Sequence, residues 1–178
     1  MWAKVEGASV TEIIPRPKPM TIGDIQYPRN IFSMWGAADL KGIGIHPVTL
    51  NTTNRKDSQY YVNTDITYTW DSENETVTGT YGTATAKPLA DSGSGVTLIK
   101  GLKTVKKESV NDSASGLLKK YDWYTLRAAS GGTAIPSSVS TYQAAVRTKA
   151  NQHTTAINAA ANVDALAAST FDWPSEPE

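Results

Sequence analysis

The spacing of hydrophobic positions changes from strand-like to helix-like near residue 95. Before that point the chain is a series of short alternating runs separated by turn residues. Trp2, Lys4 and Glu6 alternate with Ala3 and Val5, Glu6-Gly7 punctuates, and residues 10–14 form a second short strand. Pro15, Pro17 and Pro19 follow at every second position, which excludes a central strand and favours an extended edge. Met20-Thr21-Ile22, Gly23-Asp24 and Ile25-Gln26-Tyr27 read as a tight hairpin closed by Pro28. Asn30 is placed to cap a short helix carrying Ile31, Phe32, Met34 and Trp35, and a second short helix is expected over residues 37–41 before Gly42. A strand resumes over residues 43–48. Residues 60–70 then alternate, with Tyr60, Val62, Thr64, Ile66, Tyr68 and Trp70 on one face. The polar turn at residues 71–75 leads into residues 76–86, which predicts a β-hairpin over 57–86.

Beyond the Pro-, Gly- and Ser-rich stretch 87–95, which reads as a linker, the period becomes helical. Leu98, Leu102, Val105, Val110, Ala114, Leu117, Tyr121, Tyr124 and Ala128 recur at three- and four-residue intervals, which predicts one amphipathic helix of roughly thirty residues. Gly131-Gly132 ends it. Pro136 and Ser137 open another helix carrying Val139, Tyr142, Ala145 and Val146, and an Ala-rich segment follows from Asn151. Two prolines keep the tail, residues 172–178, out of a helix. The expected fold is α+β: a β-rich domain of short hairpins over residues 1–86, with small hairpins and short helices in 1–50, then a linker over 87–95. A helical hairpin with an extended Trp-Pro tail over 96–178 completes it.

Composition narrows the functional classes. Seventeen basic residues balance seventeen acidic ones among 178, so no net field favours nucleic acid or an anionic membrane. The lysines of residues 100–120 read as a solvated helix face, interrupted by Glu108 and Asp112. Cysteine is absent, which excludes disulfides, thiol catalysis and thiolate metal sites. No apolar run reaches the length of a spanning helix, and the first twenty residues lack that of a secretory signal. His46 and His153 share no metal-binding or catalytic spacing; His46 reads as a partly buried structural residue and His153 as a solvated one. Asp71, Glu73 and Glu75 alternate as in a calcium loop but lack its bend glycine, so a solvated hairpin tip explains them. There is no G-x-S-x-G elbow and no phosphate-binding P-loop, and Gly42-Ile43-Gly44 is an incomplete dinucleotide fingerprint. The expectation is a non-enzymatic protein with no cofactor and no metal.

Two segments carry longer word patterns. Residues 2–48 combine Trp-Ala-Lys-Val-Glu, a Pro-Arg-Pro motif, Tyr27-Pro28, Ile31-Phe32-Ser33-Met34-Trp35 and Ala38-Asp39-Leu40-Lys41-Gly42-Ile43-Gly44-Ile45. Residues 121–178 combine Tyr121-Asp122-Trp123-Tyr124-Thr125-Leu126-Arg127, Ile135-Pro136, Tyr142-Gln143-Ala144-Ala145-Val146-Arg147 and Trp173-Pro174. Together they resemble small tail proteins of tailed bacteriophages, of the tail-fibre and tail-assembly-chaperone-like group. Gln143 departs from that pattern, which usually has Arg there, and residues 60–86 have no counterpart in it. The resemblance implies a structural protein of the virion tail, in the fibre or baseplate region. It would be made in the bacterial host cytoplasm, bind other tail proteins and form a homo-oligomer, with no nucleic-acid or membrane partner. A tail-fibre assembly chaperone is the alternative role. A carbohydrate-binding module that meets a host surface glycan through Tyr68, Trp70 and Tyr81 is another. The candidate interface residues are Trp2, Trp35, Asp122, Trp123, Arg127, Tyr142, Arg147, Trp173 and Pro174. On one helix Asp122 is expected to pair with Arg127 while Trp123 packs inward. Arg147 is placed to fork onto a carboxylate or onto the exposed end of a neighbouring helix, and Trp173-Pro174 to anchor the terminal segment.

Overall fold

A computed structural model describes residues 1–177. The chain is α+β, with a β-rich N-terminal region and a helical C-terminal region. It divides into two compact units, Met1–Thr85 and Ala86–Glu178.

In the first unit, β1 (Trp2–Glu6) and β2 (Ser9–Ile14) form an antiparallel hairpin whose turn contains Gly7 at a φ of 63°. Lys4 pairs with Glu12 but Val5 pairs with Val10, so Thr11 is an extra residue. This bulge turns Val10 onto the face shared by Ala3, Val5 and Ile13. β3 (Met20–Ile22) and β4 (Ile25–Tyr27) pair across Gly23, followed by α1 (Ile31–Met34) and α2 (Ala37–Gly42). Asn30 does not cap α1 through its side chain; its carbonyl oxygen accepts from the Ser33 and Met34 amides instead.

β5 (Ile45–Asn51) changes partner halfway. Residues 45–47 run antiparallel to β1, and residues 48–51 run parallel to β8 (Thr76–Tyr81). Pro47 lies at the switch, where a residue without an N–H costs least. The hairpin expected over 57–86 divides. β6 (Tyr61–Val62) forms a small ladder with β9 (Thr85–Ala86), while β7 (Ile66–Asp71) pairs with β8 around the turn at Asp71–Asn74. Asn63 breaks the alternation because its side-chain amide exchanges two hydrogen bonds with the Lys56 backbone, at 2.8 and 2.9 Å.

The main sheet has the order β2-β1-β5-β8-β7. One face, carrying Ile14, Ile45 and Trp2, packs on Met20, Ile31, Phe32 and Leu40. The other carries Ala3, Val5 and Val77 with Val10, Ile13, Val48, Tyr68 and Trp70. The edge strands β2 and β7 approach one another, so the sheet curls around this second cluster.

In the second unit, a 3₁₀ turn (Gly95–Thr97) precedes α3 (Leu102–Lys119), α4 (Asp122–Ala129), α5 (Ser137–Ala159) and α6 (Val163–Ala167). α3 and α5 are antiparallel. Lys103 at the start of α3 donates to the Asn158 carbonyl at 2.8 Å, whereas Ala114 further along meets Tyr142 and Val146.

Two expectations are corrected here. Residues 87–95 are bonded into this unit, because the backbone donors at the start of α3 need acceptors. The Pro88 and Leu89 carbonyls accept from Leu102 and Lys103, and the Asp91 carboxylate accepts from the Gly101 amide at 2.7 Å. The thirty-residue helix is also two helices. It begins at Leu102, so Leu98 lies outside it, and it breaks at Tyr121 (φ −112°, ψ 2°), whose ring turns inward onto Tyr142 at 5.3 Å between centroids. Leu98 and Val105, expected on the buried stripe, are 46% and 49% exposed.

Candidate functional site

α4 presents an aromatic and aliphatic ridge. The rings of Trp123 and Tyr124 lie 3.8 Å apart between centroids, and Tyr121 stacks on Tyr124 at 6.4 Å. Trp123 is 51% exposed and Leu126 is 68% exposed, so Trp123 does not pack inward as expected. Asp122 occupies the first turn of α4, where a negative charge suits the helix dipole. Arg127 does not turn to Asp122. Five residues along an α-helix correspond to about 140° of rotation, which places the two side chains on different faces. The guanidinium instead donates to the Thr133 and Ala134 carbonyls, at 3.2 and 3.3 Å, and lies 4.9 Å from the Trp123 ring and 5.1 Å from the Tyr124 ring. Gly132 allows this clasp, because a Cβ there would lie 2.9 Å from both the Cγ and the carbonyl oxygen of Arg127. Arg127 therefore holds the turn that follows α4 and fixes the shape of the ridge.

The tail folds back on its own unit. Trp173 packs on the cluster of Ala114, Tyr142 and Val146, and its indole meets the His153 ring edge-on at 5.2 Å. Phe171 meets the same imidazole edge-on at 5.0 Å. His153, expected to be solvated, is buried, and its Nε2 lies 2.8 Å from the Asp172 carbonyl oxygen. The tail covers it, a contact that helical spacing alone does not reveal. Lys149 bonds the Asp172 carboxylate at 2.6 Å and holds it below its ordinary pKa. Lys120 pairs with Glu176, which raises the ammonium pKa. Tyr142 is buried with its hydroxyl unpartnered, and burial raises its pKa. Pro174 lines an open groove of about 450 Å³ together with Tyr142 and the first turn of α5. Arg147 stands exposed on α5.

The first unit contains the two remaining candidates. Trp2 packs into the core, with its ring 4.9 Å from Phe32. Trp35 is 38% exposed and edge-on to Tyr27 at 5.7 Å. Tyr27 also lines a shallow groove of about 520 Å³ with Met20, Gln26 and Arg29. Tyr68 and Trp70 are half-buried inside the curled sheet, with His46 4.3 Å from Trp70. Tyr68 and Trp70 therefore face this cluster, and Tyr81 is half-buried.

The structure thus brings Trp123 and Arg127 together on α4, with Asp122 on another face, and places Tyr142 with Pro174 at one groove and with Trp173 in one apolar cluster. Sequence reasoning did not single out Leu126, Val96 or Ile99, large apolar groups that the structure leaves exposed. Among the described residues, no group of three or more His, Cys, Asp or Glu side chains is arranged to hold a metal ion. None of the described helices is long and apolar enough to cross a membrane. No protein-family model, curated protein or solved structure matches the chain.

Proposed function

We infer that the chain is a structural subunit of a tailed-phage virion, in the tail fibre or baseplate region, and that it works by binding other proteins and catalyses no reaction. The observation that carries this reading is the α4 ridge. A half-exposed Trp and a more exposed Leu stand on a helix whose Arg clasps the next turn. Exposed aromatic and aliphatic groups on a rigid support are what protein interfaces use as anchors, because little side-chain freedom is lost when they dock. The paired word patterns in residues 2–48 and 121–178 supply the phage-tail context.

Quantitative mass spectrometry of gradient-purified particles tests the reading. Several copies per particle are expected. Abundant protein in infected cells with none in mature particles would remove the structural role and leave that of an assembly chaperone.

A further inference from the structure

The exposed side chains of α4 continue into a groove. At about 100° of rotation per residue, Leu126 lies about 40° from Asp122 and about 60° from Trp123, so it stands between them around the helix. Asp122 also lines an open groove of about 430 Å³ beside α3, where Ala114 and Leu118 are the larger apolar groups. An apolar projection and an apolar hollow therefore adjoin, and Asp122 belongs to both.

Two charged side chains of opposite sign line this groove: Lys119 from the end of α3 and Asp122 from the start of α4. Both are exposed, and among the described residues neither side chain has an ion pair or a hydrogen bond. Their neighbours differ in this respect, since Lys120 is taken by Glu176 and Lys149 by Asp172. A free cation beside a free anion is matched by a surface that carries the same two charges in reverse order. A two-fold axis supplies that order, because it sets residue i of one copy against residue j of the other and j against i.

We propose that the chain forms a two-fold symmetric dimer through α4 and this groove. Asp122 of each copy meets Lys119 of the other, and Leu126 of each enters the hollow between Ala114 and Leu118 of the other. Trp123, braced by the Arg127 guanidinium at 4.9 Å, lies beside Leu126 and shields the two ion pairs from water. The apolar insertion supplies affinity, and the paired charges fix the orientation. The inference rests on the reading of α4 as a protein anchor and names its occupant, a second copy of this chain.

Sedimentation velocity of the full chain tests it. The wild-type chain should sediment as a dimer and Leu126→Asp as a monomer. Lys119→Glu alone and Asp122→Lys alone each set like charges together at both contacts, which should weaken self-association at least about tenfold. Mixed in equal amounts, these two variants should form a mixed dimer at close to wild-type affinity, because opposite charges then meet at both contacts. Circular dichroism should show unchanged helix content in each variant. A wild-type chain that remains monomeric would overturn the dimer and leave α4 as an anchor for a different protein, which particle incorporation reads separately. A dimer insensitive to Leu126→Asp, or a mixture that associates no better than either variant alone, would also overturn it.

Discussion

The indole of Trp173 stands edge-on to the buried ring of His153, with centroids 5.2 Å apart and planes at 86°. A residue five positions from the end of the chain thereby covers a polar side chain in the middle of α5. The imidazole, the Asp172 carbonyl and the rings of Phe171 and Trp173 form one unit. Of the tail's contacts these matter most, because the ion pairs beside them are exposed and exposed pairs contribute little.

Trp173→Ala should therefore destabilise the helical unit by about 2 kcal/mol, below the cost for a fully buried Trp because Trp173 is half-buried. Trp173→Phe should recover part of that loss. Urea unfolding followed by circular dichroism measures both. An unchanged midpoint in Trp173→Ala would show that the tail adds nothing.

The pH dependence of tail docking follows from three groups. The Asp172 carboxyl is held below its ordinary value of 3.8, chiefly by the hydrogen bond from Lys149. Its contribution is complete above that value and is lost as pH falls below it. Lys120 is raised above 10.5 by Glu176, and its contribution is complete below 10.5 and is lost as pH rises past it. Tyr142 is raised above 10.0 by burial, so the folded state keeps its phenol neutral while the unfolded chain ionises, and stability falls on the same alkaline side. Melting temperature should fall at both the acid and the alkaline end, and Asp172→Asn should reduce the acid-side fall. An acid-side fall unchanged in Asp172→Asn would contradict this assignment.

Two glycines give opposite expectations. Gly116 lies inside α3, and a Cβ there would meet nothing within 4 Å, so Gly116→Ala should stabilise by about 1 kcal/mol. At Gly132 the added Cβ would collide with the Arg127 backbone oxygen, so Gly132→Ala should destabilise and loosen the clasp. Thermal unfolding of the two variants side by side tests the pair, and equal shifts would be inconsistent with the packing described.

Local structure was legible in the sequence wherever local chemistry sets it. Gly23-Asp24 marked the β3–β4 turn, Gly42 the end of α2, and Pro136-Ser137 the start of α5. The alternation of Ile66, Tyr68 and Trp70 marked the residues that share one face of β7. What could not be read depends on partners distant in sequence. The parallel pairing of Val48 with Val77 leaves no signature in either segment. Tyr121 continues a helical spacing and yet breaks the helix, because its ring packs on Tyr142. Of the candidate site, the spacing of Asp122 and Arg127 suggested an ion pair. The competing acceptors at Thr133 and Ala134 became visible only with the turn after α4 in place.

Particle incorporation of Leu126→Asp, in competition with the wild-type chain during infection, tests the role of the α4 ridge most directly. Leu126 is 68% exposed, so the purified variant should keep its stability to within about 0.5 kcal/mol. Its copies per purified virion should nevertheless fall at least about tenfold relative to wild type, as expected when a charge enters a desolvated contact. Incorporation equal to wild type, with the wild-type chain itself present in the particle, would show that the ridge is not where this protein meets its neighbours.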